Sequence, residues 1–309
     1  MRAAVIFVFV IGAACRPATP PPPEPPASAA ALAADIDTLA SPAFNGREAG
    51  TAGADSAADY IERRYFRLGL RPAFESACES AAHCQLSYGR TARAGRIVLR
   101  NIGAIIRGAD PRKRDEYIVI GAHFDHLGHS PTFALDRSEG FVLRPGADDN
   151  ASGTAAVLEL ARRFAARPTK RSLLLINFDA EEEGLLGSRV LLTSPPVAKT
   201  AMRFMIDLDM VGRLRRDKIF IESRQLGRMD RATFEREANA VGIRTEFIPS
   251  DERSDDASFA DEGIPAVWLS TGGHEDYHTA SDVATRINIE GLARVVDLVE
   301  HIARRMADE

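Results

Sequence analysis

Three things are scarce in this chain, and each scarcity narrows what the protein can be. Cysteine occurs only as Cys15, Cys78 and Cys84 in 309 residues, so the fold has to rest on a buried apolar core. An apolar fraction of 45% is ordinary for a protein that buries one. Excess positive charge is missing: the net charge is −5, with both signs interspersed, and nothing asks for nucleic acid. A long apolar run is missing too, since Ala3 to Ala14 falls short of the roughly 20 residues that cross a bilayer as a helix. No internal repeat is visible. The length suits one or two domains of about 100–200 residues each, and nothing in the sequence sets an oligomeric state.

The N-terminal stretch is a separate device. Arg2, the short apolar run and the small residues before Cys15 read as an export signal over residues 1–15. Residues 16–30 follow as a linker, with Pro17 to Pro26 mostly proline and therefore a stiff extended spacer. Residues 31–309 are expected to form a single domain. In an exported chain Cys78 and Cys84 make an even pair that is expected to be bridged. A loop that short gains little closure entropy, so a bridge would pin local shape.

Within the folded part, short apolar runs alternate with amphipathic stretches. Ile118 to Ala122, Leu173 to Phe178, Phe204 to Leu208 and Ala266 to Leu269 read as buried strands. Arg96 to Ile106, Lys218 to Glu222 and Arg244 to Ile248 also suit strands. Ser56 to Leu68, Thr154 to Arg167, Leu185 to Leu192 and Met229 to Ala240 suit helices, and Leu292 to Met306 carries the apolar stripe of a closing one. Helices alternating with strands argue a three-layer α/β/α domain around a mostly parallel mixed sheet.

The chemistry gathers where strands end. Gly146-Ala147-Asp148-Asp149-Asn150-Ala151-Ser152-Gly153 puts two carboxylates and an amide in a glycine-flanked loop before a helix. Such a loop alone could be a capped helix start. However, the run from Ile118 ends at His123, with Asp125 two residues on; the run to Phe178 leads into Asp179-Ala180-Glu181-Glu182-Glu183; the run to Leu208 ends at Asp209; and Tyr277-His278 follows the last run. Taken singly, Glu181 to Glu183 would be a solvated face, His278 a loop histidine and Tyr277 a packing aromatic. In open α/β sheets ligands bind beyond the carboxyl ends of the strands, so these groups would converge on one crevice. Asp209 at the end of an apolar strand is the hardest to dismiss, since an unpaired buried carboxylate is costly.

Ala122-His123-Phe124-Asp125, Pro145 to Gly153, Ala180 to Ser188, Leu208-Asp209-Met210 and Tyr277 to Asp282 resemble, in order and spacing, the co-catalytic zinc aminopeptidases of peptidase family M28. The resemblance covers residues 118–283. It implies the zinc-exopeptidase fold and two Zn2+ ions, bridged by Asp149, with His123 and Asp209 completing one site and Glu182 and His278 the other. It also implies Glu181 as general base, Asp125 fixing the tautomer of His123 and Tyr277 donating to the oxyanion. His126 and His129 receive no metal role from it and are expected at the pocket rim or in hydrogen bonds. The expected substrates are peptides with a free N-terminus. Relatives of the same fold include glutaminyl cyclases and carboxypeptidases, the latter needing a cationic pocket that Arg137, Arg144 or Arg213 would supply. A catalytically silent binding lipoprotein is a third reading, although none of the five ligands is missing. Gly46 to Thr51 is similar to a segment common in bacterial members, with Arg47 expected to be structural. Ser254 to Phe259 departs from the family pattern, which usually has histidine where Asp256 stands. Gly12-Ala13-Ala14-Cys15 resembles a bacterial lipobox, which implies a lipid anchor through Cys15 and a periplasmic or outer-membrane-anchored product.

Overall fold

The structure, a computed structural model, describes residues 28–74, 84–91, 95–136, 140–227, 229–251 and 253–309. The expected export segment, the proline-rich spacer, Cys15, Cys78 and Arg137 lie outside these residues.

Alternation along the strands decides which helix each face meets. In β4 (Tyr117–His123), Ile118, Ile120 and Ala122 join one core cluster while Val119 joins another. The same split recurs in β5 (Ser172–Phe178) and β6 (Met202–Leu208): Leu173, Leu175, Phe204, Ile206 and Leu208 point one way, Leu174, Ile176, Phe178 and Met205 the other. The first cluster is closed by α1 (Ala29–Leu39), α2 (Ala52–Arg67), α3 (Gly153–Ala166), α5 (Arg231–Ala240) and α7 (Ile289–Asp308). The second is closed by α4 (Leu186–Thr193) and α6 (Asp256–Asp261). Both faces of the central strands are therefore buried, which is why they read as continuous apolar runs.

The remaining strands are β1 (Arg71–Pro72), β2 (Cys84–Thr91), β3 (Gly95–Ile106), β7 (Lys218–Gln225), β8 (Arg244–Ile248) and β9 (Ala266–Ser270). All nine form one mixed sheet in the order β1-β3-β5-β4-β6-β9-β7-β8, with β2 also pairing with β3. The four central strands, β5, β4, β6 and β9, are parallel, and antiparallel pairings occur toward the edges. The sequence pattern did not reveal α1, whose Ser28 side chain accepts from the Ala31 amide as a cap. It did not reveal β2 either, because that strand carries no run of apolar residues. Cys84, buried at the start of β2, is disulfide-bonded.

From β4 the chain goes to β5 on one side and then to β6 on the other. The carboxyl ends of β4 and β6 therefore flank a point where the winding reverses, the place where such sheets open a crevice. Arg47 frames it from below. The residue is fully buried, and its guanidinium donates to the carbonyls of Phe124 (2.6 Å), Leu39 (2.8 Å), Pro145 (2.7 Å) and Gly146 (2.8 Å). Burial lowers its pKa to about 10, with Asp149 and Asp125 working in the opposite direction, so it stays cationic at neutral pH. Arg47→Met would leave four buried acceptors bare and should lower stability by about 3 kcal/mol in urea denaturation. Arg47→Lys should recover little of this, since one ammonium lacks the planar fork that reaches all four. Full recovery by lysine would show that charge alone is required.

Candidate metal centre

Asp149 sits at 3% exposure in a bent segment, Ala147–Ser152, that runs into α3 without a side-chain cap. Non-helical backbone at Asp149 and Asn150 turns the carboxylate away from the helix axis. The segment is fixed on every side. The Asp148 and Asp149 amides donate to Asp282 Oδ2 at 2.9 and 3.1 Å. Asn150 Nδ2 donates to the Leu208 carbonyl at the end of β6, and its Oδ1 accepts from the Gly153 amide. Gly153 admits no side chain, because a Cβ there would meet the Leu208 carbonyl oxygen at 2.2 Å. His274 Nε2 lies 3.0 Å from Asp148 Oδ2.

The two oxygens of Asp149 face different partners. Oδ1 lies 3.3 Å from His123 Nε2, which in turn lies 3.4 Å from Asp209 Oδ1. Oδ2 lies 3.1 Å from His278 Nε2 and 3.6 Å from His126 Nδ1. Glu182 approaches from the second side, with Oε2 at 3.2 Å from His278 Nε2 and Oε1 at 2.9 Å from His126 Nδ1. The donor atoms fall into two clusters, each within 4.8 Å: His123, Asp149 and Asp209, and His126, Asp149, Glu182 and His278. Imidazole nitrogen and carboxylate oxygen are a donor set suited to zinc.

The electrostatics are those of crowded acids awaiting positive charge. Burial raises the Asp149 carboxyl, but the imidazoles of His126, His123 and His278 outweigh burial and hold it well below the usual carboxylate range. Glu182, burial and Asp149 notwithstanding, is drawn down to about 2 by His278 and His126. Burial opposes the charge on His278, yet Glu182 and Asp149 raise its pKa to about 11. Glu181 moves the other way: burial, with Glu182, Asp209 and Asp255, pushes it well above its ordinary value despite His123.

Glu181 belongs to neither donor cluster; its Oε2 is 3.9 Å from His123 Nε2. Asp125 stands beside the far nitrogen of His123, as expected, and also serves the turn that follows. Its carboxylate accepts from the Glu181 and Glu182 amides at 3.0 and 3.3 Å, and His123 Nδ1 lies nearer the Asp125 carbonyl (3.2 Å) than its Oδ1 (3.5 Å). The side chain therefore shapes the glutamate turn as much as it orients the imidazole. Tyr277 stacks on His278 with ring centroids 3.8 Å apart, and burial beside the carboxylates raises its phenol pKa. His126 is fully buried rather than at the rim, whereas His129 is exposed. Arg144 is buried and spent on Asp136, and Arg213 pairs with Asp276 and Asp282, so neither offers a free cation to a substrate.

A cavity of about 430 Å³ opens beside these groups. Asp149, Glu181, Asp209, Tyr277 and His278 form its inner wall, Met210, Phe220, Ile248 and Trp268 its apolar wall, and Arg215, Glu222, Asp251 and Arg253 its charged surround. Trp268, which no local pattern singles out, reaches Asp209 Oδ2 with its indole N–H at 3.4 Å. Asp282 and His274 were equally silent as individual residues. Asp282 alone lay within a recognised motif.

The frame is that of the zinc-dependent exopeptidases. A structure described as a Zn-dependent exopeptidase from Parabacteroides distasonis superposes with a TM-score of 0.75 at 22% identity, over 92% of this chain and 99% of that one. A glutaminyl cyclase from Bacteroides thetaiotaomicron superposes at 0.74 with 20% identity, over 91% and 98%. The model of peptidase family M28 matches residues 101–303, and the chain belongs to that family. Among curated relatives, the alkaline phosphatase isozyme conversion protein of Escherichia coli is 31% identical over 58% of this chain and 50% of its own length. Aminopeptidase YwaD of Bacillus subtilis is 28% identical over 60% of this chain and 40% of its own. The chain thus spans about half the length of the curated relatives it matches.

Behind the centre, Asp256 stands at 3% exposure with Oδ1 unpartnered among the described residues. Burial, with Glu222 and Asp255 adding to it, raises its pKa to about 8. The folded chain therefore keeps a proton that the unfolded chain releases above about pH 4. This contribution to stability is complete below the unfolded value and is lost as pH rises through about 8. Urea denaturation of the metal-free protein should show stability falling from pH 6 to pH 9, and Asp256→Asn should fall less. Equal falls would clear Asp256 of the effect.

Proposed function

We propose that the chain is a metallo-exopeptidase that removes N-terminal residues from peptides, with His123, Asp149, Asp209, Glu182 and His278 holding two zinc ions. The observation that carries this reading is the placement of Glu181 on the wall of a cavity, beside two donor clusters that share Asp149 but outside both. Zinc bound there would polarise the scissile carbonyl and lower the pKa of a water held in the same pocket.

The chain's own groups do the rest. Glu181, its proton affinity raised by burial and neighbouring acids, takes a proton from the attacking water and returns it to the leaving amine nitrogen. Tyr277 stays protonated through neutral pH and offers its hydroxyl as a donor to the oxygen that gains charge. Asp125 holds the backbone of the glutamate turn, so Glu181 and Glu182 keep their separate directions. Glu222 and Asp251, together with Glu181 and Asp209, surround the cavity with negative charge suited to a substrate ammonium. Met210, Phe220, Ile248 and Trp268 offer apolar surface to the first side chain.

The reading includes export. It is supported by the N-terminal pattern ending at Cys15 and by the disulfide at Cys84, a bond that persists in oxidising compartments. The lipobox-like run adds a lipid anchor through Cys15 and a periplasmic face of the membrane as the place of work.

Zinc-loaded protein should release the chromophore from aminoacyl substrates and leave N-blocked peptides intact. Cleavage confined to N-blocked, C-terminally free peptides would assign a carboxypeptidase, served by Arg215 or Arg253. Ring closure of N-terminal glutamine without hydrolysis would assign a cyclase. Glu181→Gln should keep its zinc and fold but lose turnover by about 100-fold or more, and parental turnover would remove Glu181 as the base.

A further inference from the structure

The second donor cluster contains one imidazole beyond the pair that family resemblance supplies. His126 follows β4 by three residues, and its backbone is tied to the short 3-10 segment Pro42–Arg47, the His126 amide donating to the Arg47 carbonyl at 3.2 Å. The ring is fully buried. Gly146 makes room for it: a Cβ there would lie 2.5 Å from both Cγ and Cδ2 of His126, and the glycine has a φ of +59°. On another side the ring meets His278 edge to face, with centroids 5.6 Å apart. Glycine and histidine together fix which nitrogen looks inward. That nitrogen is Nδ1, at 2.9 Å from Glu182 Oε1 and 3.6 Å from Asp149 Oδ2. Nε2 is buried and without a partner among the described residues. The tautomer is therefore left to whatever Nδ1 faces.

We propose that His126 Nδ1 is a ligand of a divalent cation shared with Asp149, Glu182 and His278, and that the two halves of the centre therefore hold their cations unequally. This rests on the metal-binding part of the proposed function. The four residues have the spacing for it, with Glu182 turning Oε1 to His126 and Oε2 to His278. Ligands at zinc-bonding distance around a tetrahedral ion stand about 3.3 Å apart, and the separations here include 2.9, 3.1, 3.2 and 3.6 Å. With four protein donors this half resembles a closed site. The half made by His123, Asp149 and Asp209 has three donors and keeps a position for water or substrate. Asp209 of this half and His278 of the other both line the substrate cavity, whereas His126 lies away from it, so the difference between the halves rests on the number of donors. One cation would be resident and the other exchangeable.

The test is a zinc competition titration against a chelator on the full chain, comparing wild type with His126→Ala and His126→Asn. The asparagine amide keeps a hydrogen-bond donor near the position of Nδ1 but is a poor zinc ligand. Wild type should retain one ion at chelator levels that strip the other. Both variants should lose that retention, the tight step weakening by about 100-fold or more, at or beyond the upper end of what lost supporting bonds cost. Asparagine retaining the tight step as wild type does would reduce His126 to a hydrogen-bond donor for Glu182 and overturn the proposal. Diffraction from zinc-loaded wild-type crystals at the metal edge decides independently of how the variants fold. An ion within about 2.1 Å of Nδ1 supports ligation, and one beyond 3 Å refutes it. Wild type that binds no zinc at all would sink the metal reading itself, whereas two equally held ions would sink only this inference.

Discussion

The centre depends on a single shared carboxylate. Asp149 presents one oxygen to His123 and the other to His278 and His126, inside a wall where Glu182, Asp209 and Glu181 crowd more negative charge into little water. Acids so placed repel one another and are costly to desolvate, unless cations and directed hydrogen bonds offset both. Much of the local architecture serves that end. Asp282 takes the amides of Asp148 and Asp149, Asn150 ties the loop to β6, and Arg47 gathers the Pro145 and Gly146 carbonyls that lead into it. Were Asp149 free to swing, the two donor clusters would lose their common member and become unrelated surface groups.

The sheet turns this local requirement into a pocket. Parallel β4, β5 and β6 deliver His123, the Asp179 to Glu183 turn and Asp209 to the same edge, and the loop after β9 brings Tyr277 and His278 across from the other side. The charges around the cavity are mixed. Acids dominate near the donors, while Arg215 and Arg253 lie among the lining residues, Arg253 paired with Asp251. An ammonium therefore has several acidic neighbours, whereas a substrate carboxylate would depend on two arginines, both already engaged, Arg253 with Asp251 and Arg215 with the Gly273 carbonyl. This asymmetry is what supports the proposed preference for a substrate ammonium.

The fold was legible wherever burial on both faces produced unbroken apolar runs, as in Ile118 to Ala122 and Leu173 to Phe178. It was illegible at β2, which packs on an edge and carries Gln85, Ser87 and Arg90. His123, the Glu181-Glu182 turn and Asp209 could be read as converging because each follows an apolar strand, whereas Asp149 lies in a loop before α3 and its place came from the family resemblance. Of the two places expected for His126, the hydrogen-bonding one holds, through Glu182, and nothing in the sequence announces that Gly146 leaves a buried slot for its ring. Asp125 owes its expected role beside His123 to the family resemblance. Its stronger attachment to two backbone amides depends on a turn whose path the sequence does not encode locally. Trp268 and His274 act through contacts with distant carboxylates, which no local pattern reveals.

The four carbonyls collected by Arg47 belong to Leu39, Phe124, Pro145 and Gly146, whose own side chains take no part in the centre, although Phe124 lies between His123 and Asp125 and Gly146 opens the loop of Asp149. The reactive pocket is thus hostage to a stretch near the start of the folded chain that never meets substrate. A survey for inactive variants would recover changes at this arginine beside changes at the donors themselves, and would misfile an architectural support as part of the reaction.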